Sequence, residues 1–169
     1  MPALARFYAG FHALIGGLCG LLVFWIVVAI TLDVALRNLN LGSLSWAMEV
    51  NEYALFIVTS LGAPWALYRG AHVRVDLLVK GVPKAVGRLL EGLADLVGLA
   101  ASAVVLYYAL AVAAASARGG SRLIKILIIP EWWVYAVVAA GAALLAVEFV
   151  RRFVLALIAG PHADSGATV

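Results

Sequence analysis

The sequence predicts an all-α membrane protein: four transmembrane helices, with an interfacial amphipathic segment between the second and the third. Three observations carry that prediction. Of the 169 residues, 66% are hydrophobic and 12% charged, where an average soluble domain has about 45–50% and 25%. Four apolar stretches, at 13–36, 46–67, 89–117 and 130–150, each supply the ~20 residues that cross a bilayer core. The charged residues gather at the ends of these stretches and between them. Residues 1–169 therefore read as a single integral membrane domain, with no room for a separate soluble one.

The formal charge of +3 is small and gives no nucleic-acid footprint, so the basic residues are read for orientation instead. Cys19 is the one cysteine, which excludes an intrachain disulfide or a thiolate metal cluster. Its apolar neighbours predict a buried, unreactive thiol. The run from Phe7 to Leu32 carries no charge and exceeds the ~7–15 residue core of a signal peptide, so a retained signal anchor is expected.

In the first stretch, Gly16 and Gly20 have the small-xxx-small spacing that lets another helix approach closely. Asp33 and Arg37 close it four residues apart, placed to pair on one face. Asn38, Asn40, Gly42 and Ser43 make a turn-rich loop, and Ser45 is the expected N-cap of the second helix. That helix carries Glu49 and Glu52 near its start, and Glu49, Glu52, Phe56, Thr59 and Ala63 share one stripe. A carboxylate at membrane depth is costly, so the stripe is expected to face protein or a wet cavity. Pro64 should kink the last turns or interrupt their hydrogen bonding.

From Tyr68 to Arg88 the chain is basic, with Arg69, His72, Arg74, Lys80, Lys84 and Arg88 against Asp76 alone. Lys80, Lys84 and Arg88 recur every fourth residue among valines and leucines. That pattern predicts a segment lying in the interface, its basic side toward lipid headgroups. Glu91 and Asp95 open the third stretch, Gly98 and Ser102 continue the Asp95 side, and Ala109, Ala113 and Ala117 repeat the small-residue spacing. A loop is expected from Arg118 to Lys125. Pro130 is placed as the first residue of the last helix, with Glu131 favourable in its first turn. Trp132, Trp133 and Tyr135 form an aromatic belt for the membrane surface. Glu148, at the far end, is within reach of Arg151 or Arg152.

With the N-terminus inside, eight Lys and Arg residues fall on the inner side and four on the outer. Both termini are therefore expected in the cytoplasm of a bacterial inner membrane. Catalytic signatures are scarce. His12, His72 and His162 lie near a terminus, in a loop and in the tail, and none has the spacing of a haem, zinc or di-iron site. No phosphate-binding glycine loop occurs. No catalytic, cofactor or metal residue is assigned, and the chain is not expected to be an enzyme. Transport pathways usually show internal repeats or broken helices with midplane polar groups. Here the acids sit near span ends, a pattern suited to a subunit that packs against a larger partner.

Trp46-Ala-Met-Glu49-Val-Asn-Glu52-Tyr53, Leu61-Gly62-Ala63, Trp65-Ala66 and His72-Val73-Arg74-Val75-Asp76 together resemble the small membrane subunit of TRAP (tripartite ATP-independent periplasmic) transporters, the DctQ family. Gly120-Ser121, Ile129-Pro130, Trp132-Trp133-Val134-Tyr135 and Gly141 look like its last loop and fourth span. Arg122 and Lys125 depart from the pattern by adding charge to that loop.

The resemblance implies a scaffold and anchor subunit assembling with a large permease subunit of the DctM type. Together they would take up an organic acid with sodium, after delivery by a periplasmic binding protein of the DctP type. Within it, Trp46, Glu49, Glu52, Tyr53, His72, Arg74 and Asp76 are expected at the partner interface. Lys80, Lys84, Arg88, Trp132, Trp133 and Tyr135 are expected at the lipid interface. A scaffold subunit of another membrane complex, or a small homo-oligomeric channel or exporter, are the alternatives.

Overall fold

The structure, a computed structural model, describes residues 2–70, 84–120, 122–124 and 128–158. Within them lie helices α1 (Pro2–Asn38), α2 (Ser45–Tyr68), α3 (Lys84–Gly119) and α4 (Glu131–Ile158), with strands β1 (Arg122–Ile124) and β2 (Ile128–Pro130) between α3 and α4. Three helices are long and apolar enough to cross a membrane, over Arg6–Asn38, Gly92–Gly119 and Glu131–Leu155. The 24 residues of α2 suffice in length, but Glu49, Asn51 and Glu52 in its first turns leave it less apolar than the rest. The four helices expected are present. By length and composition, three of them qualify as spans.

The helices outrun the apolar stretches. Hydropathy marks only the part that suits lipid, whereas helical hydrogen bonding continues until a residue interrupts it. With 37 residues, α1 is about 55 Å long at 1.5 Å per residue, well beyond the ~30 Å hydrocarbon core. Pro2 is tolerated because the first turn has no use for its missing N–H. At the other end Asn40 takes the left-handed conformation, φ 55°. The Leu41 N–H then bonds the Leu36 carbonyl at 3.0 Å and the Asn40 N–H bonds Arg37 at 3.1 Å. This pair of bonds is a Schellman closure, with asparagine in the place glycine usually takes.

Two local expectations are corrected. Between α3 and α4, β1 and β2 pair antiparallel, with Arg122 opposite Pro130 and Leu123 opposite Ile129. Pro130 therefore closes β2 and α4 begins at Glu131. The isoleucine-rich run suits a strand as well as a membrane helix, and three residues are too few for periodicity to decide. Ser45 does not cap α2 either, because the helix already includes it and the N-cap position falls on Leu44, whose side chain cannot cap.

Asp33 helps to hold this turn instead. Its carboxylate accepts the Leu44 N–H at 2.7 Å and pairs with Arg37 at 2.7 Å, as the four-residue spacing predicts. An Asp33→Ala variant is expected to lose about 1–2 kcal/mol, typical of a lost cap. Thermal unfolding in detergent reads it, and an unchanged midpoint would remove Asp33 from the turn.

Packing runs in the order α1, α2, α4, α3, each helix meeting its neighbour along this series. Gly16 faces the Trp65 indole on α2, Gly141 on α4 faces the backbone of Ser60 on α2, and Gly98 on α3 faces the Phe149 ring on α4. Second contacts fix directions: with His12 against Tyr68, α1 is antiparallel to α2; with Tyr68 against Arg151, α2 is parallel to α4; with Ser116 bonded to Glu131, α4 is antiparallel to α3. Of the first small-residue pair only Gly16 makes a close approach, because a β-carbon on Gly20 would meet nothing within 4 Å. Gly16→Ala should thus cost about 1–3 kcal/mol by forcing the indole aside. Gly20→Ala should stabilise the helix by up to about 1 kcal/mol. Similar unfolding midpoints for the two variants would contradict this packing.

Candidate functional site

The most concentrated chemistry among the described residues is a buried polar cluster where α1 begins and α2 and α4 end. Tyr8 and His12 stand four residues apart on α1, hence on one face, and Glu148 and Arg151 three apart on α4. Tyr68 is the last residue of α2. The Tyr8 hydroxyl donates to Glu148 Oε2 at 2.6 Å. Arg151 Nε donates to both carboxylate oxygens, at 2.9 and 3.1 Å, and a terminal guanidinium nitrogen bonds Oε1 as well. The Glu148 side chain is fully buried, while 38% of Arg151 stays exposed. The carboxylate is thus enclosed and satisfied, as a charge in such a place requires.

His12 lies beside this pair and is fully buried. Its ring stacks on Tyr68 with centroids 4.3 Å apart and 9° between planes, and Tyr8 meets it edge-on at 4.6 Å. Neither ring nitrogen has a hydrogen-bond partner. The guanidinium of Arg151 also sits 5.5 Å from the Tyr68 ring centre and 5.9 Å from that of Tyr8, in cation–π range. The adjacent Arg152 turns to α3 and pairs with the buried Asp95 at 3.3 Å. Two consecutive arginines thereby tie α4 to opposite neighbours.

Helical spacing puts Glu148 within reach of Arg151 or Arg152, and the structure pairs it with Arg151; the rest of the cluster is not foreseen. By sequence His12 lies near a terminus, yet the helix around it, Pro2–Asn38, is long enough to carry it into the bundle. The sign available was local: an aromatic and an imidazole four apart at the head of an apolar helix. Nothing local said that Tyr68 and Glu148 would meet them.

The expected interface residues lie elsewhere. At the start of α2, Glu49 is buried, with Tyr53 reaching its Oε1 at 3.5 Å, while Trp46 and Glu52 are exposed. Asn51 keeps a buried side-chain oxygen without a hydrogen-bond donor. Trp132 and Trp133 are exposed at the head of α4, their rings 5.7 Å apart, and Tyr135 is half-buried. Glu131 accepts a bond from Ser116 of α3 at 3.1 Å. His72, Arg74, Asp76 and Lys80 lie outside the described residues, as do the side chains of Lys84 and Arg88, which fall in the first turns of α3. No group of three or more His, Cys, Asp or Glu that could hold a metal occurs among the described residues.

These features define a class: a multi-pass membrane subunit whose helices are joined by glycine contacts and, near their ends, by buried polar contacts, Tyr8 to Glu148, Asp95 to Arg152 and Ser116 to Glu131. Comparison with protein families gives the particular one. Residues 26–159, about four-fifths of the chain, match the family described as tripartite ATP-independent periplasmic transporters, DctQ component. The chain belongs to that family and is the small permease subunit of a TRAP transporter, a multi-pass protein of the inner membrane. The family is one of transporter components, working with DctM and DctP proteins, and not of enzymes. No curated protein matches the chain. Tyr68, Glu148 and Arg151 fall within the matched residues, whereas Tyr8 and His12 precede them.

Proposed function

We propose that this chain is the static scaffold and membrane anchor of its transporter. It holds a DctM-type permease subunit that carries an organic acid together with sodium, the acid arriving from a DctP-type periplasmic binding protein. The family match over 26–159 carries this proposal. The use of buried charges within the chain supports it, since Glu148 is occupied by Arg151 of its own helix and by Tyr8 of α1, and Asp95 of α3 by Arg152 of α4.

In this account α2 is the fourth crossing. It lies parallel to α4 from the Ser60–Gly141 contact to Tyr68 beside Arg151, so it shares the depth of a helix that qualifies as a span. Both termini are cytoplasmic, which puts Arg6, Arg69, Arg151 and Arg152 at the inner end, in keeping with the positive-inside rule. Trp46, Glu52 and Tyr53 face the large subunit toward the outer side, with the buried Glu49 behind Tyr53, and His72, Arg74 and Asp76 do so on the inner side. Lys80, Lys84 and Arg88 hold anionic headgroups, each contributing about 1 kcal/mol, while Trp132, Trp133 and Tyr135 anchor the outer interface.

Two experiments test these assignments. A Glu49→Ala/Glu52→Ala variant is expected to retain several-fold less of the large subunit during purification, with uptake falling in parallel. Unchanged assembly and uptake would remove the carboxylates from the interface. A reporter fused after Val169 is expected to be active only in the cytoplasm, and periplasmic activity would reverse the topology.

A further inference from the structure

The two edges of the helix row differ in what they present at mid-depth. α3 turns Asp95, Gly98 and Ser116 toward Arg152, Phe149 and Glu131 of α4, and Ser102 and Ala109 are buried on the same side. The run over 96–117 carries no charge. At 1.5 Å per residue it is about 33 Å long, a match to the ~30 Å hydrocarbon core. Tyr107 and Tyr108 stand at its midpoint, 68% and 63% exposed, their rings edge-on with centroids 5.4 Å apart. Among the described residues neither hydroxyl has a hydrogen-bond partner. With 100° per residue, Tyr107 points opposite the side that meets α4, and Tyr108 projects to its flank.

Tyrosine suits the membrane surface, where its ring lies in apolar material and its hydroxyl in water. These two cannot reach it. Along the axis Asp95 lies about 18 Å from Tyr107, and Arg118 about 15 Å from Tyr108, well beyond a tyrosine side chain. Facing lipid, both hydroxyls would sit in hydrocarbon unsatisfied. In the middle of α1, by contrast, the exposed residues include Leu18, Leu21 and Phe24, which lipid suits.

We propose that the outward edge of α3, centred on Tyr107 and Tyr108, docks against the large permease subunit, whose helices supply hydrogen-bond acceptors at mid-depth. This inference rests on the proposed scaffold role and adds a mid-membrane contact to those at the ends of α2. The large subunit fits better than a second copy of this chain. Successive residues project about 100° apart, so acceptors for both hydroxyls come from a surface wider than one helix, and a second α3 meeting the first edge to edge presents only one. Ala100, Ala103, Ala111 and Ala114 share the Tyr107 stripe and are exposed, so the partner's backbone has room to approach.

The test uses the full chain co-expressed with its large subunit. A photoreactive benzophenone side chain replaces Tyr107 or Tyr108, and Leu21 of α1 as the control. Illumination in the membrane is expected to join positions 107 and 108 to the large subunit and position 21 to lipid. Tyr107→Phe/Tyr108→Phe is expected to retain roughly eightfold less large subunit, the effect of losing two interhelical hydrogen bonds of the strength usual in membranes. The unfolding midpoint of the small subunit alone should not move, because neither hydroxyl bonds within it.

Crosslinks from 107 and 108 to lipid alone, or to a second copy of this chain, overturn the proposal. Undiminished assembly of the double phenylalanine variant does so as well, since the hydroxyls are its basis. The parent chain separates the two layers. If it copurifies with the large subunit while 107 and 108 label only lipid, the docking edge alone is wrong. If it does not copurify at all, the scaffold role is wrong and the docking edge falls with it.

Discussion

Replacing Gly141 by alanine should cost the subunit about 3 kcal/mol, at the upper end of what an added methyl does in a packed interior. The reason lies in what it would meet. A β-carbon on Gly141 would land on the carbonyl oxygen of Ser60, far inside van der Waals contact, with the Ser60 carbonyl carbon and Cβ close behind. At Gly16 and Gly98 the obstacle is an aromatic side chain, which can rotate or tilt. At Gly141 it is backbone, and yielding means moving α4 away from α2.

The sequence of α2 adds a second reason. Pro64 has no N–H, so the carbonyl four residues before it, that of Ser60, lacks its helical donor. The face of α2 that lost a hydrogen bond is thus the one that α4 approaches through a residue without a side chain, where a Cα–H can sit against the oxygen. Unfolding of the purified subunit in detergent measures the effect. A Gly141→Ala loss no larger than that of Gly98→Ala would contradict this account of the contact.

The second large effect belongs to Glu148. Removing one partner of a buried ion pair costs about 3–5 kcal/mol, because the other charge is left enclosed, whereas removing both is often neutral. Glu148 is completely enclosed while Arg151 is partly exposed, so the guanidinium can reach toward water once its partner is gone. Glu148→Leu should therefore fall near the lower figure, about 3 kcal/mol. The Glu148→Leu/Arg151→Leu pair should recover most of that loss, and Tyr8→Phe should cost about 1.5–3 kcal/mol for a hydrogen bond to a charged group. A double variant as unstable as the single one would show that the loss does not come from the guanidinium left without its partner.

Both effects show where sequence reasoning stops. Contacts between residues three or four apart were legible: Asp33 with Arg37, and Glu148 with Arg151, follow from helical spacing and are found as expected. Apolar length located the helices, and the ends followed by Asn40, Gly70 and Gly120 lie close to where it stops, but α1 begins as early as Pro2, α3 at Lys84, and α4 runs on to Ile158. What could not be read was the register between helices. Gly16 and Gly20 look alike in the sequence, and only one meets a neighbour. Pro64 announced a freed carbonyl but not that Gly141 would cover it. His12 gave no sign that it would be buried beside Tyr68 and Glu148, which follow it by 56 and 136 positions. Such coincidences are set by how whole helices slide against each other, and no local pattern encodes that.

The family resemblance did more for function than any one motif, because a scaffold is marked by ordinary features: apolar faces, close approaches and paired ends. The measurement that tests the central claim most directly is sodium-gradient-driven uptake into proteoliposomes, with the binding protein and its organic acid supplied outside. Vesicles holding the complex of this chain with its large subunit should accumulate the acid, and vesicles holding this chain alone should show none above empty controls. Solute flux through this chain by itself would contradict the account and make it a pathway in its own right.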